Sequence, residues 1–139
     1  MTVRTLKVGP LTATVTLDGG KLHSVTLPET VPDDLDAHAL ALLTAELAEF
    51  PLDLSDAPPF VGKVWKCLMR IPSGSAMTYA ELAADLGNPR AVRAVGRACA
   101  TNRRPLMIPC HRVVAAEGLG GFGPGLEWKR KLLELEAQA

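Results

Sequence analysis

Cys110 and His111 stand side by side in the run Ile108-Pro109-Cys110-His111-Arg112-Val113, and this is where the chain can do covalent chemistry. A thiol attacks only as its thiolate, and a free cysteine with an ordinary pKa of about 8.5 is mostly protonated at neutral pH. An imidazole within reach, directly or through one water, can take that proton and make the sulfur a nucleophile. Adjacency does not supply the geometry, because neighbouring side chains usually point apart. By itself the pair is a weak signal. The other two cysteines, Cys67 and Cys99, fall in predicted helices and read as small packing residues. Three cysteines are too few and too odd in number for a disulfide framework, so a reducing compartment is expected. His23 and His38 lack cysteines at ligand spacing, and neither a metal nor any other cofactor is expected.

The elements that position this pair come from one compact domain, or one domain with a small appendage, in 139 residues that are 47% apolar. No apolar run approaches 18 residues and the first residues carry no signal-like core, so a cytoplasmic protein is expected, nucleoid-associated or nuclear according to its host. The net charge of zero hides a segregation. Residues 1–59 carry three basic and nine acidic residues, 60–113 nine basic and two acidic, and 114–139 three basic and four acidic. A middle segment of net +7 either faces a polyanion or is a solvated surface, and charge alone does not separate the two.

Residues 4–27 predict two or three short strands. Residues 11–17 and 22–27 alternate apolar and polar residues around Asp18-Gly19-Gly20, which is a hairpin signal. Residues 35–49, with Leu40, Leu42, Leu43 and Leu47, predict an amphipathic helix, and Pro51–Pro59 a connector. Residues 60–70 predict a helix with Val61, Val64, Trp65 and Leu68 on one face. Thr78 caps a predicted helix over 79–86, with Glu81 reaching back to it. Gly87-Asn88-Pro89 ends that helix, and the next runs from about Arg90 to Ala100. Two helices around a short glycine-containing turn make a helix-turn-helix. Along the second, Arg90, Arg93 and Arg97 share a flank, while Ala91, Ala94, Gly96 and Ala98 are small. Such a helix can lie close to a duplex with its guanidiniums on phosphates, or be an ordinary core helix with solvated arginines.

Taken in order, these segments resemble the O6-alkylguanine-DNA alkyltransferases, suicide repair proteins that move an alkyl group from guanine to their own cysteine. The likeness covers about residues 58–136. It is carried by Pro109-Cys110-His111-Arg112-Val113, Val64-Trp65, Ile71-Pro72-Ser73-Gly74, Thr78-Tyr79-Ala80-Glu81-Leu82, Gly87-Asn88-Pro89, Arg93-Ala94-Val95-Gly96, Asn102, Lys129 and Leu132-Leu133-Glu134-Leu135-Glu136. The resemblance implies an α+β fold: a short β-containing N-terminal region over residues 1–56, then a winged-helix-like domain with a helix-turn-helix over 57–139. It implies Cys110 as nucleophile, His111 accepting its proton through a water, and Glu136, rather than Glu134, on the other imidazole nitrogen. It further implies that Asn102 ties the turn near the active site and that Arg112 is structural. Arg93 would fill the stack after a nucleotide flips out, with Arg90 nearby. Tyr79 would crowd the 3′ phosphate and donate to the purine, Ala94 and Gly96 would sit in the minor groove, and the backbone at Val113 would contact the base. The partner implied is double-stranded DNA carrying O6-alkylguanine, bound by a monomer, with no membrane.

The loop 120–125 departs from the family. Phe122 stands where tyrosine is usual, Gly123 where a small polar residue is common, and Pro124 stiffens a loop otherwise rich in glycine. This loop borders the expected alkyl pocket, so lesion range is the property it touches. Two other functions compete. An alkyltransferase-like protein would sense damage without transfer, which the presence of Cys110 opposes. A thiol hydrolase would need no Arg93, no Tyr79 and no small-residue helix, and it would turn over.

Overall fold

The alternation in Leu11–Asp18 sends Leu11, Ala13, Val15 and Leu17 to one buried face, which is why this segment is the central strand of a sheet. The computed structural model describes residues 1–138, and strand β1 (Thr2–Val8), β2 (Leu11–Asp18) and β3 (Lys21–Thr26) form an antiparallel sheet in that order. Gly19 (φ 58°) and Gly20 (φ 82°) make the β2–β3 turn, a two-residue connection in which both central residues need positive φ. Helix α1 (Ala37–Leu47) starts where the Asp36 carboxylate accepts the Ala39 N–H at 2.8 Å, and buries Ala39, Leu40, Leu43 and Leu47 against the sheet's core.

The second half is built from α2 (Pro59–Leu68), α3 (Tyr79–Asp85), α4 (Val92–Ala100) and α5 (Leu126–Ala137), with two short strands, β4 (Met77–Thr78) and β5 (Val113–Val114), paired in parallel. The Thr78 hydroxyl accepts the Glu81 N–H (3.0 Å) and the Glu81 carboxylate accepts the Thr78 N–H (2.9 Å), the reciprocal cap expected from the spacing. Trp65 fills the angle between α2 and α4, its indole N–H donating to the Ala98 carbonyl at 3.0 Å.

One expectation needs correction. Arg90 is not on α4: the Ala91 N–H closes a turn on Asn88 O, and the first helical bond runs from Val95 N–H to Ala91 O. Arg93 and Arg97 therefore share the helix, while Arg90 sits in the turn before it. Pro89 and Arg90 complete that turn, and helical winding starts only beyond it.

The cores do not follow the order of the chain. Leu106, Trp128, Leu132 and Leu135, all from the second half, complete the core of β2, β3 and α1. Trp128 also donates its indole N–H to the Pro28 carbonyl at 2.8 Å. A second core gathers Val64, Trp65, Leu68, Ile71, Leu82, Ala83, Val95, Ala98, Ile108 and Val113 around Cys110. Against Trp65 of the second core lies Arg104, wholly buried (5.4 Å to the ring centroid) and donating to Asp56 Oδ1 at 2.9 Å. Among the described residues no helix is long and apolar enough to cross a membrane.

Candidate active site

Cys110 opens a single 3₁₀ turn, Cys110–Arg112, immediately before β5. The segment leading into it folds back on itself, with Leu106 in the left-handed region (φ 77°) and the Ile108 N–H bonded to Arg104 O. Asn102 holds this reversal. Its Oδ1 accepts the Arg104 N–H (2.9 Å), while Nδ2 donates to Ile108 O (2.7 Å) and to Cys110 Sγ (3.2 Å). An amide N–H on the sulfur favours the thiolate. Burial is the larger effect, and it raises the Cys110 pKa despite Asn102 and the nearby Lys129 ammonium. The thiol therefore rests protonated and needs a base.

His111, the next residue, is the imidazole expected to serve as that base. It is fully buried, and Nε2 lies 2.9 Å from Glu136 Oε2. Burial pushes the Glu136 carboxyl up, but hydrogen bonds from His111 and Arg112 outweigh it and bring it down to about 2. An ionised carboxylate only accepts, so Nε2 carries the proton and Nδ1 keeps its lone pair. Nδ1 is buried and has no protein partner, so nothing in the protein competes for that lone pair. Arg112 grips the same carboxylate from the other side, Nε to Oε1 at 2.9 Å and Nη2 to Oε2 at 2.7 Å, and donates through Nη1 to Ile71 O at 2.7 Å. The arginine thus anchors Glu136. Glu134, two residues earlier, is exposed.

Lys129 is the residue that sequence reasoning passed over as a mere motif position. It is wholly buried and donates through Nζ to Val113 O (2.6 Å) and Gly121 O (2.9 Å), with Nζ 5.8 Å from the Tyr79 ring centroid. Burial lowers its pKa, and the two cysteines Cys110 and Cys99 oppose that shift. A signal for it existed. Trp128, Lys129, Leu132, Leu135 and Glu136 recur at helical spacing, and a lysine and a glutamate inside an otherwise apolar stripe are candidates for function. Tyr79, the first residue of α3, is half-buried. Its pKa is raised by burial and by the charges of Cys99 and Cys110. Gly120 allows its position: a Cβ there would lie 2.8 Å from the Tyr79 ring and 2.9 Å from its hydroxyl.

Of these groups Tyr79 and Cys110 meet at a cavity of about 470 Å³, lined also by Gly96, Cys99, Ala100, Gly121, Phe122 and Gly123; His111, Glu136, Asn102 and Lys129 lie outside its lining. Of the loop and strand residues expected at the pocket, Phe122 and Gly123 line it. Val113 and Pro124 do not: Val113 is wholly buried in the second core, and Pro124 lies in the turn closed by Gly125 N–H on Phe122 O. Phe122 also packs edge-on to the His111 ring at 6.1 Å. Cys99, expected to be a packing residue, packs against the second core and also lines the cavity. Arg93 is exposed, and Gly96 has open space in front of it, so the outer face of α4 runs directly into the cavity mouth.

Comparison with known proteins points to one family. The family model described as "6-O-methylguanine DNA methyltransferase, DNA binding domain" matches residues 59–138. A probable methylated-DNA–protein-cysteine methyltransferase of Acanthamoeba polyphaga mimivirus is 49% identical over 78 residues, covering 56% of this chain and 52% of the relative. The methylated-DNA–protein-cysteine methyltransferase of Methanopyrus kandleri is 41% identical over 123 residues, covering 81% of this chain and 92% of the relative. The chain thus spans about half the length of the first relative and nearly all of the second. The crystal structure of Mycobacterium tuberculosis OGT in complex with DNA superposes with a TM-score of 0.78 at 35% identity, over 98% of this chain and 92% of that one. With the matched segment covering more than half of the chain, the chain belongs to the 6-O-methylguanine DNA methyltransferase family.

Proposed function

We propose that this protein repairs DNA by moving an alkyl group, methyl foremost, from guanine O6 to Cys110, once per molecule. The observation that carries this reading is the shared cavity: the Cys110 thiol opens onto the same space as the exposed face of α4, with a base behind it whose lone pair has no other partner. A base inside a duplex cannot reach a recessed thiol, so the nucleotide must leave the stack, at a cost of a few kcal/mol. Arg93, exposed on α4, fills the gap it leaves; Arg90, in the preceding turn, adds charge against the backbone. Ala94 and Gly96 present little side chain, which suits a minor groove only about 6 Å wide.

The chemistry follows from the site. The Cys110 proton passes through one water to His111 Nδ1, and Glu136 stabilises the imidazolium. The thiolate attacks the alkyl carbon in line, the carbon–O6 bond breaks, and guanine leaves with its electron pair. Tyr79, on the cavity wall, donates a hydrogen bond or proton to the departing purine and limits the charge that builds on it. Lys129 lies behind Tyr79 and offsets the negative charge of the thiolate. The product is a thioether, and no group at the site can cleave it. A monomer is sufficient, because every group named belongs to one chain. The damage-sensing alternative is not favoured: a complete thiol–imidazole–carboxylate set has no use in a protein that only binds.

The deciding experiment is intact-protein mass after mixing with a duplex that carries one O6-methylguanine. A gain of about 14 Da, mapped to Cys110 and stopping at one equivalent, is expected. Cys110→Ala must abolish the gain while duplex binding persists; transfer by that variant would sink the assignment.

A further inference from the structure

Two thiols, not one, face the cavity. Cys110 lies at the start of its 3₁₀ turn, and Cys99 lies in the last turn of α4; both line the same space. The segments carrying them are tied together. The Cys99 carbonyl accepts the Asn102 N–H at 3.2 Å, and the Asn102 side chain donates to Cys110 Sγ at 3.2 Å. Burial and, after it, a charge on Cys110 push the Cys99 thiol up to about 12. Cys67 takes no part, because it lines a separate cavity with Arg70, Ile71 and Asp85. Alkyl transfer uses only Cys110, so Cys99 has no role in the reaction.

We propose that Cys99 and Cys110 form a reversible redox pair, in which Cys99 resolves peroxide-oxidised Cys110 as an intramolecular disulfide. In the first step the Cys110 thiolate attacks one oxygen of hydrogen peroxide. The O–O bond breaks, hydroxide leaves and takes up the thiol proton as water, and Cys110 becomes a sulfenic acid. In the second step the Cys99 sulfur attacks the Cys110 sulfur, the S–O bond breaks, and the departing hydroxide takes the Cys99 proton as a second water. Two thiols lose two electrons and one peroxide gains them. The effective concentration of a thiol held in the same cavity offsets its high pKa. The disulfide withdraws the nucleophile from alkyl transfer, spares it from irreversible sulfinic acid, and is reopened by a dithiol reductant. These steps need only two thiols and a peroxide, so they stand apart from the alkyl-transfer reading.

The test uses the full chain carrying Cys67→Ser, treated with hydrogen peroxide and analysed without reduction. The expected product is lighter by about 2 Da, two hydrogens, and returns to its starting mass with dithiothreitol. Trypsin should join residues 98–103 to residues 104–112 through Cys99 and Cys110. Bridging requires the two Cα atoms within about 7 Å, so the cross-link yield reads directly whether the two turns meet that range. Adding Cys99→Ser should replace the bridged species by oxygen additions on Cys110, with about tenfold more sulfinic acid. Oxygen additions at equal rates with and without Cys99, or a Cys110 that stays fully alkylatable by iodoacetamide after peroxide, would overturn the proposal. The joined peptide in the Cys67→Ser chain decides the matter even if the Cys99→Ser protein folds poorly.

Discussion

Glu136 shows how much one side chain settles at this site. It accepts from His111 and twice from Arg112, and so fixes the imidazole tautomer while serving as the anchor of a buried ion pair. Glu136→Gln keeps the shape but removes the charge and puts a donor where an acceptor is needed. The rate of reaction with free O6-benzylguanine at pH 7 should fall by about 100-fold. Stability should fall by about 2–4 kcal/mol, because Arg112 loses its carboxylate; a denaturant melt checks this, and unchanged stability would remove the anchoring role. The acid limb follows from the same bonds. A carboxyl held at about 2 when folded titrates above that when unfolded, so its contribution is complete above the usual carboxylate range and drains away as pH falls towards 2. Unfolding midpoints of the native chain should drop between about pH 5 and 2, and the Gln variant should show a flatter profile over that window.

At the scale of elements, the site depends on how α3 and the 120–125 loop meet. Tyr79 is set by its place at the start of α3, directly after β4, which pairs with the strand that follows the Cys110 turn. Thr78→Ala removes the cap acceptor and should cost about 1 kcal/mol, seen as a lowered Tm. Its effect on transfer should exceed that of a cap elsewhere, because fraying moves Tyr79. Gly120→Ala tests the other side. At φ 73°, with its new Cβ inside the Tyr79 ring contact, alanine strains the backbone by about 1–3 kcal/mol and displaces the tyrosine. The rate on O6-benzylguanine should drop while Cys110 stays reactive towards iodoacetamide. A wild-type rate with an unmoved melting curve would show that the contact is slack.

Across the whole molecule, the charge segregation has a physical outcome. The basic middle segment contributes Arg93 and Arg97 on the outer face of α4, beside the cavity mouth, whereas Arg104 and Arg112 turn inward to pair with Asp56 and Glu136. Arg90 is exposed as well, but Arg104 and Arg112 are already paired with carboxylates, so net charge overstates the binding surface. Arg93→Ala should slow repair in a duplex by about tenfold or more while leaving attack on free O6-benzylguanine nearly unchanged, since only the duplex requires a flipped nucleotide. Parallel measurement of both rates checks this; equal losses would remove the finger role. Binding of the variant should also show a weaker salt dependence, with one cationic side chain fewer against the duplex.

The sequence by itself determined whatever depends on neighbours a few residues apart. The alternation of 11–17, the Gly-Gly turn, the Thr78–Glu81 cap and Leu40, Leu43 and Leu47 of α1 appear where their spacing puts them, because hydrogen bonds and burial periodicity are local, whereas Leu42 of the same helix is exposed. Cys110 with His111 was legible for the same reason, and Glu136 through resemblance. Tertiary structure alone decided the long-range matters. It placed Lys129 under Tyr79, set Cys99 on the cavity wall, buried Arg104 against Trp65, and put Arg112 on Glu136, 24 residues away. Local pattern reports how strongly a residue prefers burial; which partner satisfies a buried charge depends on how distant segments pack, and that is settled only when the two cores close around α5.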